Sequence, residues 1–127
     1  MDIPRLPDSE LVVMKIVWGF GGEITSVQIM EALKGKKQWA VPTVLNFLAR
    51  LVSRGFLTVR RSGKMNFYTP VISEDAYLEI ESKSFLNRLH GNSLTSLMAS
   101  LYGGGEISKD DLEELKRYIE DREGDAQ

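Results

Sequence analysis

Several features common in other protein classes are missing from this 127-residue sequence. It has no cysteine, which excludes a disulfide framework, a thiolate metal site and a cysteine nucleophile. No apolar run approaches the roughly 18 residues that a membrane-spanning helix needs, so we expect no membrane insertion. The opening residues, MDIPRLPDSE, carry acidic groups in place of the apolar core of a signal peptide. These absences favour a cytoplasmic protein.

Side chains suited to catalysis are also scarce. The single histidine, His90, lies at a predicted helix end, and one imidazole alone does not make a metal site. The acidic pairs Asp110-Asp111 and Glu113-Glu114 fall in the first turns of a predicted helix, where they favour the helix dipole and face water. We therefore expect no enzyme active site, no metal and no cofactor.

Acidic residues are missing from one long stretch of the chain. Between Ala32 and Ile72 there is no Asp or Glu, although both flanking regions are net negative. Such an asymmetry indicates that this stretch contacts a polyanion, the alternative being an accidental cluster of charges. The basic residues of the stretch are Lys34, Lys36, Lys37, Arg50, Arg54, Arg60, Arg61 and Lys64.

The sequence predicts three amphipathic helices in its N-terminal part. Apolar residues at helical spacing predict a helix over 8–18 and another over about 42–54. Between them, Thr25 followed by Gln28 three positions later forms a capping-box pattern, which predicts the start of a second helix.

After the third helix, the sequence pattern changes to one typical of β-strands. Residues 56–61 (FLTVRR) and 65–70 (MNFYTP) are rich in residues that favour strands, and we expect a tight turn at Ser62-Gly63 between them. Three helices followed by a hairpin make a winged helix-turn-helix, with the hairpin as the wing. The fold class is therefore mainly α (α+β), with residues 1–72 as a DNA-binding domain.

The remaining residues, 73–127, predict three more helices: 73 to about 89, about 92–102, and one opened by Ser108 and Asp111. Their apolar stripes are too many to bury within one chain, so we expect a homodimer. The alternative is a self-contained helical cap on a monomer. The expected dimerisation residues are Phe85, Leu86, Leu89, Leu94, Leu97, Met98, Leu101, Leu112, Leu115 and Ile119.

The third helix is the one that enters the major groove in helix-turn-helix proteins. Asparagine can read adenine with two hydrogen bonds, and arginine can pair with guanine or phosphate. Basic residues of the wing and of the turn before the helix are suited to phosphate. The alternative for each is a solvated surface residue, or, in the wing, a charged strand edge that discourages aggregation. The candidate DNA-binding residues are Thr43, Asn46, Arg50, Arg54, Arg60, Arg61, Lys64, Lys36 and Lys37.

About residues 7–122 resemble the BlaI/MecI penicillinase-repressor family. The resemblance is carried by the spaced set Trp39, Thr43, Val44, Arg50, Leu51 and Gly55, by Tyr68 in the hairpin, and by the runs SELVVMKIVW, QWAVPTVLNFLARLVSRGFL, NFYTPVISEDAYLEIESKSFL and ISKDDLEELKRYIE. It implies a winged-helix homodimer, joined through its C-terminal helices and bound to a palindromic operator. It further implies a membrane sensor of β-lactams that triggers cleavage of the repressor, here at the bond aligned with that site, Ser100–Leu101.

Three positions depart from the family pattern. Ala40-Val41-Pro42 replaces the common Ser-Pro at the start of the recognition helix, and Leu45 replaces a residue that is often basic or polar. At the expected cleavage bond, Ser-Leu replaces Asn-Phe. These departures concern the identity of the operator and the switch by proteolysis.

The sequence thus predicts a DNA-binding transcriptional repressor that controls β-lactam-resistance or related stress genes. The alternative is a winged helix that serves as a protein–protein module with weak, non-specific DNA binding. In that case Leu45, with Ala40 and Val41, would form the docking patch.

Overall fold

The computed structural model describes residues 3–125, which form six helices and three short strands. This is the mainly helical architecture expected from the sequence. The elements in chain order are α1 (Asp8–Phe20), β1 (Ile24–Thr25), α2 (Ser26–Leu33), α3 (Val41–Ser53), β2 (Leu57–Ser62), β3 (Met65–Pro70), α4 (Glu74–His90), α5 (Leu94–Gly103) and α6 (Lys109–Asp125).

The first helix is longer than its apolar pattern indicated. It continues past Gly19 to Phe20 and ends where Gly21 adopts φ +83°, a left-handed conformation that glycine reaches without strain. Its N-cap is Pro7, and no side chain caps it. A single glycine costs a helix only about 1 kcal/mol, which packing of the apolar face offsets.

The capping box at the start of α2 is confirmed. The Gln28 backbone N–H donates to Thr25 Oγ1 at 3.1 Å, and the Thr25 backbone N–H donates to Gln28 Oε1 at 2.9 Å. Two backbone donors at this helix end are therefore satisfied by neighbouring side chains.

Three strands form an antiparallel sheet in the order β1-β3-β2. In the hairpin, Leu57 pairs with Pro70 and Ser62 pairs with Met65, so the two-residue turn consists of Gly63 and Lys64. The expected turn at Ser62-Gly63 was one residue early. Gly63 has φ +62°, and its backbone freedom sets the turn position.

The core of the first compact unit, residues 1–81, lies between α1, α2, α3 and the sheet. Tyr77 of α4 belongs to it: its hydroxyl accepts a hydrogen bond from the Leu6 backbone N–H at 2.9 Å, and its ring lies 5.8 Å from that of Phe56. The unit therefore extends beyond residue 72, the expected domain boundary, because the start of α4 completes its core. The buried apolar residues are Leu6, Val13, Met14, Val17, Ile24, Ile29, Leu33, Val44, Leu48, Leu51, Phe56, Leu57, Tyr68 and Tyr77.

The second compact unit, residues 82–127, is helical over its described part. Its helix starts are capped: Ser93 Oγ accepts from the Ser96 backbone N–H, and Ser108 and Asp111 exchange hydrogen bonds. The backbone N–H of Ser108 holds the pKa of Asp111 below its usual range. No described helix is long and apolar enough to cross a membrane.

Candidate nucleic-acid interface

Helix α3 divides cleanly into a buried and an exposed face. Val44, Leu48 and Leu51 point into the core, and the opposite face is open to solvent. The exposed residues follow the i, i+3, i+4 spacing of one helix face: Leu45, Asn46, Ala49, Arg50 and Ser53. Asn46 and Arg50 lie on this exposed face, and Thr43 is half-buried at its edge.

The edge of this face that borders the wing is apolar. Leu45 is 40% exposed, and Ala49 follows it one turn later. The sequence analysis gave Leu45 as a departure from a family pattern and as part of a possible docking patch, and it did not place Ala49. The signal was present, since residues 45 and 49 have the same spacing as 46 and 50.

A shallow groove of about 390 Å³ separates α3 from the wing. Leu45 and Ala49 line its helix side, and Val59 and Asn66 line its strand side. The wing and the exposed face of α3 therefore border one surface. Of the predicted DNA-binding residues, Asn46 and Arg50 share the exposed face of α3 with Leu45 and Ala49.

A buried carboxylate lies behind the recognition helix. Glu10 of α1 has a side chain only 2% exposed, and its Oε1 accepts a hydrogen bond from Arg54 Nη1 at 2.8 Å. Its Oε2 lies 3.8 Å from Arg50 Nη1. The two arginines stay 40% and 58% exposed, so each keeps N–H groups directed at solvent.

Sequence reasoning missed Glu10, since its place two residues into an amphipathic helix is typical of a solvated acid. Its pairing shows that Arg54 has an internal partner, in addition to the role in DNA binding that the sequence predicts for it.

Arg60 of the wing is also held by an acid. It donates twice to Glu23, from Nη2 to Oε1 at 2.8 Å and from Nε to Oε2 at 3.1 Å, and its guanidinium lies 4.5 Å from the Phe67 ring centre. The Arg60 hydrogen bond lowers the pKa of Glu23, and Glu23 in turn raises the pKa of Arg60. Within the described residues, Arg61 and Lys64 near the tip form no ion pair and are exposed.

The basic connector before α3 is solvent-exposed. Lys36 and Lys37 are both open, and Lys37 Nζ lies 5.7 Å from the centre of the Trp39 ring. Lys34, the third lysine of the connector, forms an ion pair with Glu31. The connector thus adds cations beside the helix that the sequence predicts to enter the groove.

The described residues hold no group of three or more histidine, cysteine or acidic side chains that could bind a metal. His90 Nδ1 instead lies 2.8 Å from Ser96 Oγ, at the end of its own helix.

Comparison with known proteins identifies this arrangement. The family model described as "Penicillinase repressor" matches residues 6–121. The chain belongs to the penicillinase repressor family. It is 32% identical to the penicillinase repressor of Bacillus licheniformis over 119 residues, which covers 94% of this chain and 92% of the relative. It is 24% identical to the methicillin resistance regulatory protein MecI of Staphylococcus aureus, over 91% of this chain and 93% of that one.

Two solved structures of this repressor family are similar to part of this chain. The solution structure of the DNA-binding domain of the repressor BlaI matches with a TM-score of 0.53 and 33% identity, covering 60% of this chain and 92% of that one. The Bacillus licheniformis BlaI monomer in complex with the blaP half-operator matches with a TM-score of 0.51. This member of the penicillinase repressor family is accordingly a DNA-binding transcriptional repressor with a winged helix, and not an enzyme.

Proposed function

We propose that this repressor binds a palindromic operator as a homodimer and reads each half-site with the exposed face of α3. The observation that carries the proposal is the position of that face, which lies with the wing and the basic connector in the stretch without acidic residues. A repressor acts where the chromosome lies, so we propose a cytoplasmic location.

The candidate contacts divide by chemistry. Asn46 and Arg50 are exposed on α3 and can read base edges. Thr43, half-buried near the helix start, is suited to a phosphate at the edge of the groove. We assign phosphate contacts to the remaining basic residues, which position the protein on the duplex: Lys36, Lys37, Arg54, Arg60, Arg61 and Lys64.

The second unit supports the homodimer through its uncovered apolar side chains. None of the apolar residues expected at the dimer contact is fully buried in the single chain, and Leu89 and Leu94 are more than half exposed. A second copy would remove this surface from water, at roughly 25 cal/mol for each Å² buried. The proposed dimerisation residues are Phe85, Leu86, Leu89, Leu94, Leu97, Met98, Leu101, Leu112, Leu115 and Ile119.

The first experiment combines footprinting with salt titration on the DNA upstream of the protein's own coding sequence. Expected is a protected site with two-fold symmetry and a steep loss of affinity with salt, because each neutralised phosphate adds about −0.9 to the slope of log K against log salt. Arg50→Ala should weaken binding by about 1–3 kcal/mol. Lys83→Ala, an exposed cation outside the acid-free stretch, is the control and should leave binding unchanged.

Unchanged binding of the Arg50→Ala variant at several salt concentrations would contradict the assignment of the reading face. A sedimentation measurement on the same sample tests the dimer, and a monomer at the concentrations that protect the operator would contradict it.

The relatives named for penicillinase and methicillin resistance support a role in controlling β-lactam-resistance or related stress genes.

We propose that a membrane sensor of β-lactams relieves repression by cleavage at Ser100–Leu101. This bond lies in α5, where Ser100 is exposed and Leu101 half-buried, so the last turn must open before a protease can reach it. Immunoblots of cells exposed to a β-lactam should show a fragment ending at Ser100. An intact chain in cells whose resistance genes are induced would contradict cleavage.

A further inference from the structure

The apolar stripe on the exposed face of α3 is not explained by the core. Leu45 and Ala49 lie one turn apart, beside the parallel pair Asn46 and Arg50. Leu45 is 40% exposed and lines the open groove toward the wing, together with Val52 and the core residue Tyr68. An exposed leucine by itself is ordinary. This one lies at the wing-side edge of the surface that faces DNA in the proposed function.

The major groove offers such a stripe one chemical partner. Its floor presents hydrogen-bond donors and acceptors for every base pair and a single apolar group, the C5-methyl of thymine. A protein partner for the stripe would have to tolerate the surrounding cations, because residues 32–72 contain no acidic side chain. The charge around the stripe therefore favours DNA as its occupant.

The length of the stripe also matches the spacing of bases in DNA. A helix rises about 1.5 Å per residue, so Leu45 and Ala49 are about 6 Å apart along the axis. Successive bases of one strand are about 3.4 Å apart, so the stripe spans about two base pairs. Asn46 lies next to Leu45, and its amide can read the adenine that pairs with a thymine in the same short segment.

We propose that Leu45 is a specificity-determining residue that recognises the C5-methyl group of a thymine in each half-site, with the small Ala49 leaving room for the base beside it. The proposal rests on the proposed function, since it requires α3 to enter the major groove. Leu45 would supply an apolar contact that the polar residues of the helix cannot make. Binding should therefore depend on the C5-methyl group itself.

The test uses the full chain and the tightest-binding duplex that it selects from a random-sequence library. Each thymine of one half-site is replaced in turn by deoxyuridine, which removes only the C5-methyl group. Burying one such group is worth about 0.8 kcal/mol, so uracil at the contacted position should weaken wild-type binding about fourfold. Other positions should show no penalty.

The variant Leu45→Ala should bind the thymine duplex more weakly and show no further loss with uracil at that position. Leu45→Gln, which keeps side-chain length but not apolarity, should lose the same discrimination. Leu78→Ala is the matched control: Leu78 is 44% exposed, in α4, and its truncation should leave the uracil penalty intact. Because Leu45 is exposed, its truncation should not unfold the protein, and circular dichroism checks this.

Two results would overturn the inference: no position with a uracil penalty, or a penalty that persists in both Leu45 variants. Failure of the proposed function looks different, because the wild-type protein would then select no preferred duplex from the library.

Discussion

The buried ion pair behind the recognition helix predicts an asymmetry between its two partners. Glu10 is almost completely enclosed, whereas Arg54 is 40% exposed and can turn to water. Arg54→Met leaves the Glu10 carboxylate buried without its hydrogen-bond donor and without access to water. Arg50 at 3.8 Å replaces only part of the lost interaction. Breaking a buried pair in this way costs about 3–5 kcal/mol, and the remaining arginine favours the lower end.

Glu10→Gln leaves a milder defect. The amide keeps an acceptor for Arg54, and the guanidinium regains water, so we expect a loss of about 1–2 kcal/mol, near the value of one charge-assisted hydrogen bond. The double variant is the decisive case. Adding Glu10→Gln to Arg54→Met removes the stranded charge, so the double variant should be more stable than Arg54→Met alone.

Urea unfolding of the four proteins measures this difference. With a slope of about 2 kcal/mol per molar urea, a loss of 3 kcal/mol lowers the midpoint by about 1.5 M. All samples must have the same protein concentration, because association would shift the midpoint. Arg5→Met is the matched control: Arg5 pairs with Glu81 at the surface, where such pairs contribute about 0–1 kcal/mol. The reasoning fails if Arg54→Met costs no more than Arg5→Met, or if the double variant is the least stable of the four.

Three further predictions concern the same unit. Tyr77→Phe should lower stability by about 1–3 kcal/mol in thermal unfolding, because the buried Leu6 N–H loses its acceptor, and Tyr102→Phe at an exposed site should change nothing. Thr25→Ala should cost about 1 kcal/mol through loss of the capping box, and an unchanged melting temperature would contradict that role. Arg60 lowers the pKa of Glu23, so this ion pair stabilises the fold at pH values above the ordinary carboxyl pKa near 4.5. The contribution disappears as the pH falls through the lower pKa that Glu23 has in the folded protein. Glu23→Gln should therefore reduce stability at neutral pH and not at strongly acidic pH, and a pH-independent difference would count against the pair.

Most of the fold could be predicted because its signals are local. The capping box at Thr25 and Gln28, the apolar period of α3 and the change to strand residues after Phe56 each depend on neighbours in the chain. The acid-free stretch predicted the basic surface for the same reason, since charge composition is read directly from the chain. Errors occurred where a glycine gave two possible positions, as at Gly19 and at the hairpin turn.

Local patterns in the chain were enough to predict the winged-helix order of elements and the cationic character of residues 32–72. The pairing of charges and the end of the first unit follow from long-range packing instead. Glu10 meets Arg54 across 44 positions of chain, and Leu6 meets Tyr77 across 71. Such contacts depend on how α1 crosses α3 and on where α4 returns. Periodicity assigns a residue to a face of its own helix and carries no information about what that face will meet.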